Sequence, residues 1–171
     1  PYETLLESRL DAVFVGEADD SFSEYLDHGR PGDVAGLWYN DGGDIKNTGT
    51  RLLIADLDEL AMPAWHLYDL SKYREMSELY ARKTPITMAE FSRGCVFKCD
   101  FCASKISMGL GYRKKSPERC REEAVHLQKL GFREIKLADD IFTPDQKWAR
   151  AVCDAISNAE FDIIWMRHSW F

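Results

Sequence analysis

A chain of 171 residues, 45% of them apolar and 12% aromatic, is long enough to bury a core as one domain or as two short pieces. Its formal charge of −7 gives no bulk attraction for nucleic acid or an anionic membrane, and no apolar run nears the ~20 residues of a membrane span. Five cysteines are an odd number in a chain that is not small, which argues against a disulfide framework and for a reducing, cytoplasmic setting. The chain opens at Pro1 with no initiator Met and no signal peptide, in what reads as mid-fold.

Residues 1–30 carry eight acids against two bases. Within them Ala12, Val13, Phe14 and Val15 form a β-like run ending in Gly16-Glu17, and a helix is predicted over 21–26 with Ser21 as its N-cap. Strand, glycine turn and helix are an α/β signature. His28 lies in a Gly/Pro loop and reads as a surface residue. Residues 37–40 and 45–47 flank Asp41-Gly42-Gly43, a strong hairpin signal because glycine supplies the positive φ of tight turns. Residues 56–65 read as a linker, since Pro63 continues neither a helix nor a central strand. Trp65, His66 and Tyr68 are read as packing residues of an inter-domain seam, and 70–84 as a charged, partly helical approach.

A strand over 86–91 then delivers the chain to Arg93-Gly94-Cys95-Val96-Phe97-Lys98-Cys99-Asp100-Phe101-Cys102. Three thiolates within eight residues can wrap one inorganic centre, yet cannot by themselves close four-coordinate iron or zinc. On a 4Fe–4S cluster, Cys95, Cys99 and Cys102 would hold three irons and leave the fourth open to an outside ligand. A structural zinc site would need a fourth ligand such as Cys120 or a histidine, and no second paired Cys/His element exists. A Cys99/Cys102 dithiol redox site would leave Cys95 unexplained. An electron carrier would need a fourth cluster cysteine, and neither Cys120 nor Cys153 has that spacing. Residues 93–115 hold six bases against Asp100 alone, which suits an anionic cluster and a carboxylate-bearing cofactor, or else a solvated loop.

Ser116 is the predicted N-cap of the next helix, with Pro117 at its first position, Glu118 against its positive start and Gly131 as its stop. Cys120 falls near the apolar spacing of that helix and reads as a buried small hydrophobe. Residues 133–138 form a second strand, ending at Asp139-Asp140. Thr143-Pro144-Asp145-Gln146 reads as a capping box with Pro at N1, and Trp148, Val152, Ala155 and Ile156 give the following helix its apolar face. Cys153 falls there with no assigned chemistry. A third strand is predicted over 161–165. The order from residue 86 is β-α-β-α-β, and at ~30 residues per βα unit there is no room for a closed barrel. The chain is therefore expected to be a piece of a longer protein, cut at both ends.

The cysteine run matches CxxxCxΦC with Phe101 as the aromatic, and so resembles the radical S-adenosylmethionine superfamily. The wording "DLDEL-x-x-P" at 56–63, "YRxxSPE" at 112–118 and "DDxFT" at 139–143 is similar to its cobalamin-associated branch. Residues 10–17 resemble the last strand of the cobalamin-binding domain found upstream there, although the cobalt-ligating DxHxxG pattern is absent. The resemblance implies an α/β chain: the tail of a Rossmann-like cobalamin-binding domain with a hairpin (1–60), a linker (61–84) and the first part of a partial (βα) barrel (85–171). It implies a 4Fe–4S cluster on Cys95, Cys99 and Cys102 and S-adenosylmethionine on the open iron. It also implies reductive cleavage to a 5′-deoxyadenosyl radical, Phe101 near the adenine, and Asp139 or Asp140 on the methionyl amino group. Cobalamin would be bound mainly by residues upstream, with methyl transfer or cyclisation as the reaction. The implied partners are a small-molecule substrate and a reductant such as flavodoxin or ferredoxin, with no nucleic acid.

Overall fold

The structure is a computed structural model that describes residues 1–73, 82–104, 108–109, 111–157 and 164–167. The chain divides into two compact units, Pro1–Ala55 with Phe97–Leu110, and Asp56–Val96 with Gly111–Phe171.

The first unit is built on a three-stranded antiparallel sheet in the order β1 (Ala12–Phe14), β2 (Leu37–Asp41), β3 (Asp44–Asn47). The hairpin is as expected. Asp41 pairs with Asp44 across a two-residue turn, and Gly42 and Gly43 take φ of 65° and 109°, where a side chain would be strained. Helices α1 (Tyr2–Glu7) and α2 (Asp19–His28) accompany the sheet. The Phe14 ring meets Phe22 and Tyr25 of α2 edge-on, at 5.6 and 6.0 Å. Helix α2 starts earlier than expected: Ala18 stands at the cap and Asp19 and Asp20 occupy the first turn. Ser21 is buried inside the helix, where its hydroxyl donates to the Ala35 carbonyl at 2.9 Å. With its proton on the Ala35 carbonyl, that hydroxyl caps no helix end. His28 is the exposed last residue of α2 rather than a loop residue, and Gly29 follows at φ 65°.

The second unit carries a parallel sheet in the order β4 (Ile86–Ala89), β7 (Glu134–Leu137), β8 (Ile164–Arg167). Its register aligns Ile86, Glu134 and Ile164, then Ala89, Leu137 and Arg167. Parallel pairing requires crossovers, and α3 (Pro117–Lys129) and α4 (Gln146–Ser157) supply them. Ile135 and Leu137 of β7 bury against Leu127 of α3 and Val152 and Ile156 of α4. Each such aliphatic side chain contributes about 1.5–3 kcal/mol on leaving water. On the opposite face of the sheet Met88 is exposed.

Helix α3 begins and ends where its sequence says. Ser116 Oγ accepts from the Arg119 N–H at 3.1 Å, Pro117 is the first helical residue, and Gly131 turns the chain at φ 95°. The capping box before α4 is displaced: Asp145, not Thr143, is the cap, with Oδ1 accepting from the Trp148 N–H at 3.0 Å. Trp65 meets Phe132 edge-on at 5.4 Å, so it packs within the second unit. The predicted helical stretch in 70–84 is a short 3₁₀ turn at Leu70–Tyr73, and 74–81 lie outside the described residues. The third predicted strand appears as β8; its expected start at 161–163 lies outside them too. Among the described residues no helix is long and apolar enough to cross a membrane.

Candidate functional site

The C-terminal ends of β4 and β7 converge on one carboxylate. Asp139 leaves β7 and turns its Oδ1 to the Phe91 N–H at 2.9 Å and its Oδ2 to the Ser92 hydroxyl at 2.5 Å. The Ala138 N–H donates to the Ala89 carbonyl at 2.9 Å, so the parallel ladder leads directly into this contact. Burial pushes the Asp139 carboxyl above its ordinary range, and the hydrogen bonds from Ser92 and Phe91 oppose that rise without cancelling it. Asp140, the next residue, is exposed.

From Ser92 the chain enters a short antiparallel ribbon that the sequence reading did not anticipate. In it β5 (Ser92–Arg93) pairs with β6 (Arg113–Lys114), Ser92 opposite Lys114 and Arg93 opposite Arg113. The Lys115 N–H extends it by donating to the Phe91 carbonyl at 2.9 Å. The ribbon thus ties together both ends of the cysteine-bearing segment, 94–112. Gly94 opens that segment at φ 80°, a left-handed turn that favours glycine. Arg93 Nε donates to Glu90 Oε2 at 2.7 Å across the same corner.

Cys95 and Cys102 are half-buried and Cys99 is exposed. The Cys102 N–H donates to the Cys99 carbonyl at 3.1 Å, which fixes the turn between the last two. Phe101 is 93% exposed. Among the described residues no three His, Cys, Asp or Glu side chains gather into a group able to hold a metal ion. By chemistry, three thiols within eight residues, all in contact with solvent, fit an iron–sulfur centre. The other two cysteines do not compete. Cys120 is fully buried in the core of the second unit, where burial pushes its thiol far up, and burial likewise raises that of Cys153 on α4.

The basic stretch 93–115 is less cationic than its sequence. Arg93 pairs with Glu90, Lys114 with Asp145 and Lys115 with Glu123, acids that lie outside the stretch. Lys98 is exposed, and Lys105 lies outside the described residues.

No protein-family model matches the chain. It is 34% identical, over 94% of its length, to an uncharacterised methyltransferase of Pyrococcus horikoshii, and covers 35% of that protein. It is 28% identical to the cytidylyl-2-hydroxyethylphosphonate methyltransferase of Streptomyces wedmorensis, over 88% of its length and 34% of the relative. It is 26% identical to the anaerobic magnesium-protoporphyrin IX monomethyl ester cyclase of Synechocystis, over 88% of its length and 30% of that enzyme. The chain spans about a third of the curated relatives it matches.

Its fold matches part of the cobalamin-dependent S-adenosylmethionine radical enzyme OxsB, solved with aqua-cobalamin and S-adenosylmethionine bound. The TM-score is 0.71 at 19% identity, over 96% of this chain and 24% of that one. It also matches the radical S-adenosylmethionine methyltransferase TsrM from Kitasatospora setae, solved with cobalamin and a [4Fe-4S] cluster. There the TM-score is 0.63 at 15% identity, over 86% of this chain and 30% of that one.

Proposed function

Since the chain belongs to the cobalamin-dependent radical S-adenosylmethionine enzymes over the portion of them that it spans, we propose that it supplies the cluster-binding part of such an enzyme. Cys95, Cys99 and Cys102 are the ligands, and their spacing at the exit of β4, on a segment rooted by the β5–β6 ribbon, is the observation that carries this reading. Cys95, Cys99 and Cys102 would hold a 4Fe–4S cluster that, when reduced, would supply the electron for cleavage of the sulfonium bond of S-adenosylmethionine to a 5′-deoxyadenosyl radical.

The chain's own residues prepare that chemistry. Cys95 follows the C-terminal end of a parallel strand, the end at which (βα) barrels keep their reactive groups. The exposed Met88, on the face of β4 opposite the one that α3 and α4 cover, supports reading this sheet as the first strands of such a barrel, with 85–171 as its N-terminal part. Phe101, with its ring open to solvent, offers an apolar surface to the adenine. A carboxylate of the Asp139-Asp140 pair receives the methionyl ammonium, a charge-assisted hydrogen bond. Residues 1–60 are the end of the cobalamin-binding domain and 61–84 the linker. The edge of β1 away from β2, which pairs with no strand among the described residues, leaves a place for the remainder of such a domain. The whole protein transfers a methyl group or closes a ring on a small molecule in the cytoplasm, and takes electrons from a flavodoxin or ferredoxin.

The test is anaerobic reconstitution with iron and sulfide, followed by iron analysis of the protein and of its Cys95→Ala, Cys99→Ala and Cys102→Ala variants. About four irons per chain, lost in each variant and kept in Cys153→Ala, is the expected result. Zinc in place of iron, or iron that survives the three substitutions, overturns it.

A further inference from the structure

Two adjacent aspartates end β7, and the structure gives them different work. Asp139 has both carboxylate oxygens engaged: Oδ1 by the Phe91 N–H at 2.9 Å and Oδ2 by the Ser92 hydroxyl at 2.5 Å. The Ser92 hydroxyl, itself buried with its residue 1% exposed, has one proton to give. The shorter contact assigns that proton to Asp139, with the Ile141 carbonyl a weaker second acceptor at 3.3 Å. Phe91 is also 1% exposed, so its amide has no water to turn to and depends on Asp139. Asp140 is exposed, and among the described residues no hydrogen bond or ion pair engages its carboxylate.

We propose that Asp139 is a positioning residue: it fixes the Phe91–Ser92 corner from which the cysteine segment departs, and leaves Asp140 as the carboxylate that meets the cofactor's ammonium. Phe91 and Ser92 lie four and three residues before Cys95, and Ser92 begins the ribbon that closes the segment. A carboxylate that accepts one backbone N–H and one hydroxyl sets both the direction and the register of that departure. Without it, the Phe91 amide is left buried and unpaired, and the corner is free to open. The inference rests on the cluster reading for its consequence, while the contact itself stands on the fold alone.

The experiment compares Asp139→Ala, Ser92→Ala and Asp140→Ala by two readouts in the protein. The first is amide exchange at Phe91, measured without any metal. The second is iron content after reconstitution, with the affinity of the reconstituted cluster for S-adenosylmethionine taken from the change in its EPR signal. Asp139→Ala is expected to speed Phe91 exchange at least about tenfold and to lower iron occupancy, while the clusters that do form keep the parent affinity. Ser92→Ala removes one arm of the contact and gives the same pattern in weaker form, which keeps the test valid should Asp139→Ala fail to fold. Asp140→Ala is expected to keep Phe91 protection and iron but to lose most of the S-adenosylmethionine response. The proposal is overturned if Asp139→Ala keeps Phe91 protection, or keeps full iron while losing the cofactor response. Absence of iron from the parent protein would defeat the cluster reading instead, and the Phe91 exchange would still decide the contact.

Discussion

Lys115 Nζ stands 2.6 Å from Glu123 Oε1 in the second unit, with the two side chains only 8% and 7% exposed. The pair locks the end of the β6 strand to α3, and the Trp148 indole N–H donates to the Lys115 carbonyl at 2.7 Å, which adds α4 to the same junction. Removing one charge leaves the other buried without compensation, at a cost of about 3–5 kcal/mol. Arg119 Nε also approaches Glu123, at 3.6 Å, so that carboxylate faces two cations. Glu123→Leu is therefore expected to destabilise more than Lys115→Met in urea unfolding, and the double variant to lie closer to the parent than Glu123→Leu does.

Cys120 should behave as core and not as a ligand. Its side chain is fully buried beside Ala124 and Leu127, and its thiol is pushed up by burial first, then by the nearby Glu123. Cys120→Ala is expected to leave reconstituted iron unchanged and to cost about 1 kcal/mol for the lost sulfur contacts. Slow reaction of this thiol with a disulfide reagent in the folded protein, released by urea, is the direct check. Loss of iron in Cys120→Ala would bring back the four-cysteine alternatives.

Asp139 and Asp145 give stability opposite dependences on pH. The Asp145 carboxyl is held below its ordinary 3.8 by the Lys114 ammonium first, then by the Trp148 N–H. Its contribution is therefore present above 3.8 and lost as pH falls through the depressed native value. The Asp139 carboxyl is raised, chiefly by burial, so the native state binds the proton more tightly than the unfolded one. Its contribution is fully present below 3.8 and is lost as pH rises through the elevated native value. Asp145→Asn should flatten the acid limb of a plot of urea midpoint against pH, and Asp139→Asn should flatten a decline just above it.

Features set by local chemistry could be read from the sequence. Ser116, Pro117 and Gly131 bound α3 because each acts through its own backbone, and Gly42-Gly43 closes its hairpin for the same reason. The alternating strand and helix patterns after residue 86 gave the parallel sheet its order. The misses share a physical cause, because each depends on a partner distant in the chain. Ser21 and Thr143 were plausible caps, but Ser21 is claimed by Ala35, and Asp145 reaches Trp148 from the cap position. The β5–β6 ribbon pairs residues about twenty apart over two positions each, too short to leave a periodic signal. Lys115 looked like one more solvated base until its partner, eight residues on, proved to be buried with it. Asp139 and Asp140 look alike as neighbours, and only the fold of β4 against β7 separates them. The three cysteines were legible as a candidate centre from spacing alone.

The most direct test of the whole account is low-temperature EPR of the anaerobically reconstituted, dithionite-reduced protein, recorded with and without S-adenosylmethionine. A reduced 4Fe–4S signal that shifts on adding the cofactor is the predicted result, because three cysteine ligands leave one iron open to it. A colourless protein holding zinc, or a cluster signal indifferent to the cofactor, would contradict the account.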